Sequence, residues 1–255
     1  MGQFTAATAA PDQIEYLDSA AAVGRDYKQR FLDALDLSAG QVVLDTGCGP
    51  GTDLARLADA VTEEGSVIGV DHDSVMLDRA RHRLADYANV DLRAGDAHAL
   101  PLPDACVDRA RADRVLQHLE SPVRALAEFR RVLRPGGLLG LAEPDWDTLA
   151  IDSVDMETSR AFTRHTVANF RNPTMGRHLA RLAVAAGFSV ATIDVLPMVF
   201  RDVETAEQIL GLRRNAARAV QAGYMTQPAA ERWLDGLASG PFLAYFTLVI
   251  VVARA

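Results

Sequence analysis

Three acidic residues and three glycines carry the chemistry that can be read in this chain. Asp45 and Asp71 close short apolar runs, Asp96 stands just past a third, and Gly47, Gly49 and Gly51 alternate directly after the first. A carboxylate at a strand's carboxyl end can accept hydrogen bonds from a ligand's hydroxyl or amino groups. Glycine allows tight turning and close approach of backbone to that ligand. Val42-Val43-Leu44-Asp45-Thr46-Gly47-Cys48-Gly49-Pro50-Gly51-Thr52 thus reads as a strand and a glycine turn, with a helix from Asp53. Open α/β sheets hold nucleotide-like ligands in this way. A glycine turn alone is a weak sign, because a turn of this kind can be purely structural. Thr52 stands where a dinucleotide fingerprint would place its third glycine. Asp71, with His72 beside it, lies about 20 residues beyond the turn, where an acid can bind both hydroxyls of a ribose and repel a 2′-phosphate. A capping role suits Asp73 or Ser74 better than Asp71. Gly95-Asp96-Ala97 repeats the acid after a third strand.

These residues need a scaffold that lines up strand ends, and the apolar pattern supplies one. Strands are expected at Gln41–Thr46, Ser66–Asp71, Val90–Ala94, Val107–Ala112 and Leu138–Glu143, with helices near Asp53–Val61, Ser74–Tyr87 and Pro122–Leu133. Ser74 and Ser121 read as helix N-caps, and Pro122 suits a first helical position. Arg134-Pro135-Gly136-Gly137 should stop the third helix. Such alternation predicts a parallel sheet with helices on both faces. Before it, residues 12–35 suggest one or two amphipathic helices. After Glu143 the pattern becomes helical at Asp152–Phe170 and Gly176–Ala186. A strand at Phe188–Leu196, helices at Val203–Ala222 and Gln227–Leu237, and a last strand at Phe242–Val252 follow. With no linker or repeat in view, the expectation is one domain, residues 1–255, comprising N-terminal helices at 12–35, a ligand-binding core at 37–150, a helical cap with the sixth strand at 151–240 and a last strand at 242–255.

The 255 residues carry a formal net charge of −8, which argues against a nucleic-acid surface because neutralising phosphates needs clustered cations. Arg124, Arg130, Arg131 and Arg134 read as a solvated helix face. Cys48 and Cys106 form neither a disulfide framework nor a metal site, so a reducing cytoplasm is expected and no metal. No signal-peptide pattern is visible, and the run from Phe242 to Val252 is shorter than the roughly 18 residues a membrane helix needs. A soluble protein is expected.

In sum the motifs resemble those of class I S-adenosylmethionine (SAM)-dependent methyltransferases. The segment from Val43 to Thr52 is similar to that family's first motif, Gly69-Val70-Asp71 to its second and Gly95-Asp96-Ala97 to its adenine-contacting motif. Arg131-Val132-Leu133-Arg134-Pro135-Gly136-Gly137 resembles the turn before the fifth strand in the subgroup that includes ubiquinone/menaquinone C-methyltransferases. The likeness is close from Leu37 to Glu143. It implies an α/β, Rossmann-like, seven-stranded sheet with an antiparallel last strand, and SAM as cofactor. The cofactor-binding set it implies is Asp45, Gly47, Gly49, Gly51, Asp71, His72, Asp96 and Ala97, with Arg111 and Ala112 passing the methionine end partly through backbone atoms. Tyr16 and Tyr27 in the N-terminal helices would close over it.

The sulfonium makes the methyl electrophilic, so the protein's task is to hold a nucleophile in line with it. His118, after the fourth strand, is the candidate base, since imidazole titrates near neutral pH; alternatively it packs on the third helix. Candidate acceptor contacts are Arg114, Trp146, His165, Asn169, Phe170 and Arg171. The expected activity is methyl transfer to O, N or C of a small molecule, such as a secondary metabolite or quinone precursor. No nucleic-acid or membrane partner is expected, and a homodimer is the assembly considered. The other readings are a SAM-binding cyclase or isomerase, which the cofactor motifs do not exclude, and an NAD-dependent oxidoreductase, which Thr52 and Asp96 weaken.

Overall fold

The computed structural model describes residues 24–255. Its centre is a seven-stranded sheet in the order β3-β2-β1-β4-β5-β7-β6. The strands are β1 (Val42–Thr46), β2 (Ser66–Asp71), β3 (Val90–Ala94), β4 (Val107–Asp113), β5 (Leu133–Ile151), β6 (Ser189–Phe200) and β7 (Ala244–Arg254). β1 pairs in parallel with β2 and β4, while β7 runs antiparallel to both β5 and β6. The register aligns Thr46 with Val70 and with Ala112. Asp45, Asp71 and the loop after β4 therefore share one edge.

β1 is buried on both faces, with Val43 and Leu44 each fully enclosed, which is why it reads as a continuous apolar run rather than an alternating one. Val43 packs with Leu54, Leu57 and Val61 of α2 (Leu54–Val61) and with Leu77 and Ala80 of α3 (Ser74–Arg83). On the same side Phe31 and Leu35, from and just after α1 (Arg25–Ala34), cover Ala142, Leu248 and Ile250. Leu44 faces the other way, toward Leu126 and Phe129 of α4 (Pro122–Val132) and the core completed by Leu179 of α6 (Met175–Ala185). Helices thus cover both faces, as expected.

A second apolar core is built on the carboxyl-terminal part of β5. Trp146, Leu149 and Ile151 meet Phe162 of α5 (Met156–Ala168), Leu210 of α7 (Val203–Leu210), Ala216 of α8 (Leu212–Gln221) and Trp233 of α9 (Gln227–Ala238). This is the helical cap.

Several expectations are corrected. β5 does not end at Glu143: β7 supplies partners as far as Ile151, across a bulge between Asp145 and Ala150. The expected helix Val203–Ala222 is two helices, broken where Gly211 adopts φ 57°. Asp73, not Ser74, caps α3, accepting the N–H groups of Val75 and Met76. Asp155 caps α5, so that helix begins at Met156 rather than Asp152. Of the expected N-terminal helices only α1 is described; Tyr16 lies outside the described residues. Arg131 is no mere solvated cation, since it binds Asp104, Glu128 and the carbonyls of Leu100 and Leu102. Among the described residues no helix is long and apolar enough to cross a membrane, and no cluster of three His, Cys, Asp or Glu is placed to hold a metal ion.

Candidate active site

The glycine turn is built from both neighbouring strands. Gly47, Gly49 and Gly51 have φ of 70°, 55° and 75°, a region that strains any residue bearing a Cβ. The N–H groups of Gly47 and Cys48 both donate to the carbonyl of Val70 on β2, at 2.7 and 3.2 Å. Asp71 then fastens the turn: its Oδ2 accepts from Gly49 N at 2.8 Å, and its Oδ1 from Asp73 N at 2.9 Å. A Cβ on Gly47 would strike Val115 at 2.4 Å, whereas one on Gly49 would meet nothing within 4 Å. Protein therefore packs one side of the turn and the Gly49 side is open, a cradle with room for a ligand against bare backbone.

Burial pushes the Asp71 carboxyl up, but the His72 ring and the N–H groups of Asp73 and Gly49 outweigh it and hold the group below the ordinary carboxylate range. It stays ionised and can accept further donors, as ribose hydroxyls would be. His72 is almost wholly exposed. Asp96, just past β3, is also ionised and its side chain is 64% exposed. Ala97 beside it is buried.

Beneath this edge lies a charged cluster that sequence reasoning reached only in part. The Arg111 guanidinium is enclosed among Asp45 (3.6 Å), Asp53 (3.1 Å) and Asp113 (3.1 Å), with the Phe31 ring 4.9 Å from its carbon. Lys28 reaches Asp53 at 2.6 Å, and Tyr27 Oη donates to Asp113 at 3.2 Å. Burial raises Asp45 to about 7 against the pull of Arg111. Burial likewise acts to raise Asp53, but Arg111 and Lys28 prevail and hold it far below the usual range. The side chains of Asp45 and Arg111, and the Tyr27 ring, are thus sealed in this network and tie α1 to the turn, rather than lining an open pocket. Ala112 is buried as well.

The turn after β4 is held from two directions. Glu143, fully buried on β5, accepts the N–H groups of Val115 (2.8 Å), Leu116 (2.5 Å) and Gln117 (3.4 Å). Asn172 donates to the carbonyls of Leu116 (3.0 Å) and Leu119 (2.8 Å). This fixes Arg114, which adopts φ 58°, and His118, which is exposed. Partial desolvation, then the charges of Arg114 and His72, hold the His118 imidazole below its usual value. It is therefore neutral at neutral pH, as a proton acceptor must be.

Toward the cap, the His118 ring lies 6.1 Å from that of Phe170, and Phe170 stacks on Trp146 at 4.6 Å. The structure brings His118 and Phe170 together but does not leave Trp146 open as an acceptor contact: the indole is 6% exposed, also packs on Phe246, and donates from Nε1 to Gln117 Oε1 at 2.8 Å. His165 is buried against Tyr224, with Asn169 bonded to its Nε2. His165 is thus enclosed within the cap, while Asn169 is exposed and braces it. A cavity of about 210 Å³ lies between Trp146, Leu149 and the α5 residues Thr163, Arg164, Val167 and Ala168.

Lys28, Asp53, Glu143 (as an anchor) and Asn172 carry no sequence signal for these roles; nor does His98, whose ring Nδ1 lies 2.7 Å from Asp96 Oδ1, beyond its spacing. Their partners are mostly remote in sequence, and only the Asp96-x-His98 spacing left a local signal.

The family described as "Methyltransferase domain" matches residues 43–137. A protein of Streptomyces fradiae, named "Uncharacterized 37.1 kDa protein in transposon TN4556", is 53% identical over 97% of this chain and 73% of its own length. A Mycolicibacterium smegmatis protein named "Probable S-adenosylmethionine-dependent methyltransferase" is 31% identical, over 77% of this chain and 78% of that protein. Among solved structures, a SAM-dependent methyltransferase from Aquifex aeolicus superposes with a TM-score of 0.57 at 23% identity, covering 72% of this chain and 91% of that one. That likeness concerns the fold.

Proposed function

This chain belongs to the class I SAM-dependent methyltransferases, and from that premise we propose that it methylates a small molecule held between the turn after β4 and the helical cap. SAM is its cofactor, and when bound it supplies an electrophilic methyl on sulfonium. The observation that carries the site assignment is the open Gly49 backbone flanked by two ionised carboxylates on adjacent strand ends, Asp71 and Asp96. Asp71 would accept the ribose hydroxyls and Asp96 the adenine amine. Gly47, Gly49 and Gly51 admit the cofactor against bare backbone. Arg111, Asp45, Tyr27 and Lys28 support that wall from behind.

Three features favour a small acceptor. The net charge of −8 suits no polyanion. The cap borders the same turn through Trp146, Phe170 and Asn172. Neutral His118 beside the Phe170 ring can take a proton from a hydroxyl or phenol next to an apolar surface. The acceptor class favoured is a secondary metabolite or quinone-like precursor methylated on O, N or C. Arg114 and Phe170 are its nearest candidate contacts.

The test is incubation with methyl-labelled SAM and a panel of phenols, quinols and amines, following both label transfer and release of S-adenosylhomocysteine. Label in one acceptor with stoichiometric release supports the proposal. Conversion of an acceptor without release would instead show the cyclase-type use of the cofactor. A protein that binds NADH and neither SAM nor S-adenosylhomocysteine by calorimetry would overturn the site assignment.

A further inference from the structure

We propose that His98 is a positioning residue that sets cofactor base selectivity, by clamping the Asp96 carboxylate through a single enforced tautomer. The inference rests on Asp96 reading the adenine amine, as proposed above.

His98 is 15% exposed and engages Asp96 twice: its backbone N–H donates to Oδ1 at 2.8 Å, and its ring Nδ1 lies 2.7 Å from the same oxygen. On the far side of the ring, the backbone N–H of Ser121 donates to Nε2 at 3.2 Å. A backbone N–H can only donate, so Nε2 must be the bare acceptor and Nδ1 must carry the proton. The ring therefore donates a charge-assisted bond to Asp96. Both donors fall on Oδ1, and Oδ2 accepts no hydrogen bond found among the described residues. The carboxylate is thereby held in one rotamer with one oxygen left for a ligand donor.

The surroundings make His98 a strut rather than a passenger. Ser121 is the N-cap of α4, directly after the Val115–His118 turn. The stretch from Asp96 to Asp104 is pinned along that helix by Glu128, which accepts from Leu100 N at 2.7 Å, and by Arg131. His98 is the link nearest the ligand edge. It couples the adenine-reading carboxylate to the start of α4.

Two substitutions separate the ring's two bonds. In His98→Asn the amide can occupy the Nδ1 position and donate to Asp96, but cannot reach Ser121. In His98→Gln the amide reaches the Nε2 position but leaves Asp96 without the ring donor. The measurement is calorimetric affinity for S-adenosylhomocysteine and for its inosine counterpart, whose 6-oxo group offers no amine to a carboxylate. Wild type should prefer the adenine form. His98→Gln should lose roughly fivefold or more of that preference, as expected for one charge-assisted hydrogen bond, and His98→Asn should keep most of it. Equal preference ratios in all three proteins, or an equal loss in both variants, would overturn the proposal, because a ring that merely fills space predicts no difference between Asn and Gln. Failure of wild type to bind S-adenosylhomocysteine would instead refute the site assignment itself.

Discussion

At Glu143 a single carboxylate receives three consecutive backbone N–H groups while fully shut off from water. Burial raises its pKa to about 8, and the N–H groups of Leu116 and Val115 pull the other way without prevailing. Since an unfolded glutamate titrates near 4.3, the folded chain binds the extra proton between about 4.3 and 8. The stability that this site contributes is full below that window and declines as pH rises through it. Glu143→Gln keeps an acceptor for Val115 and Leu116 and carries no charge. Its melting temperature relative to wild type should therefore rise from pH 5 to pH 8 and level off above, and a difference independent of pH would contradict the argument. Asp71 differs because its charge is wanted: Asp71→Asn must lose one N–H bond or a ligand acceptor. Affinity for S-adenosylhomocysteine should then fall roughly tenfold or more, which calorimetry would show. Asp71 and Asp96 were legible because residue type, strand end and glycine spacing converge on them. Glu143 was legible only as the end of an expected strand, because its three partners lie 26 to 28 residues away and no local pattern marks them.

Among the elements, α1 is the one whose placement is set by charge as much as by apolar area. Lys28 bonds Asp53 at the N-cap position of α2, and Arg111 on β4 shares that carboxylate. Phe31 and Leu35 lie so close to β5 that a Cβ on Gly140 would fall 2.6 and 2.8 Å from them. Lys28→Met preserves most of the side-chain volume but removes one of the two cations on the buried Asp53 carboxylate, leaving Asp53 and Asp45 to share Arg111. Uncompensated buried charge is costly, so the variant should lose about 3 kcal/mol of unfolding free energy, measurable by urea denaturation. A loss under about 0.5 kcal/mol would mean that the pair contributes as little as an exposed one. Element type was largely legible, since the strand end at Asp71 follows from the β-branched Val67, Ile68 and Val70 and the one at Ala94 from the alternation of apolar Val90 and Leu92 with polar Asp91 and Arg93. Element extent was not. The expected helix from Val203 to Ala222 carries an uninterrupted apolar period, and only a folded backbone reveals the left-handed turn at Gly211. β5 continues past Pro144 because β7 is long enough to pair with it, a fact held in a segment a hundred residues away.

In the whole molecule the cap core reaches the turn after β4 at Trp146. The sheet core was foreshadowed by contiguous apolar runs, but the cap is assembled from distant partners such as Phe162 with Trp233, and Trp233 Nε1 with Ser159 Oγ at 2.8 Å. Amphipathic period reveals that such helices have a buried face and not which face it meets. Trp146 belongs to the cap core by its rings, stacking on Phe170 and Phe246. It reaches the proposed cofactor edge through its indole N–H, which donates to Gln117 in the turn that carries His118. Trp146→Phe would retain an aromatic ring between Phe170 and Phe246 and delete the donor, leaving the buried Gln117 Oε1 unpaired at a cost of about 1–3 kcal/mol. That cost should fall on the turn rather than on the sheet. Amide hydrogen exchange of residues 115–119 should then accelerate about tenfold, the ratio corresponding to about 1.4 kcal/mol, while β1 and β2 exchange as in wild type. Affinity for S-adenosylhomocysteine should stay within about twofold, since Asp71 and Asp96 are untouched. Unchanged exchange in the turn, or equal acceleration throughout the sheet, would show that Trp146 does not couple cap to cofactor edge.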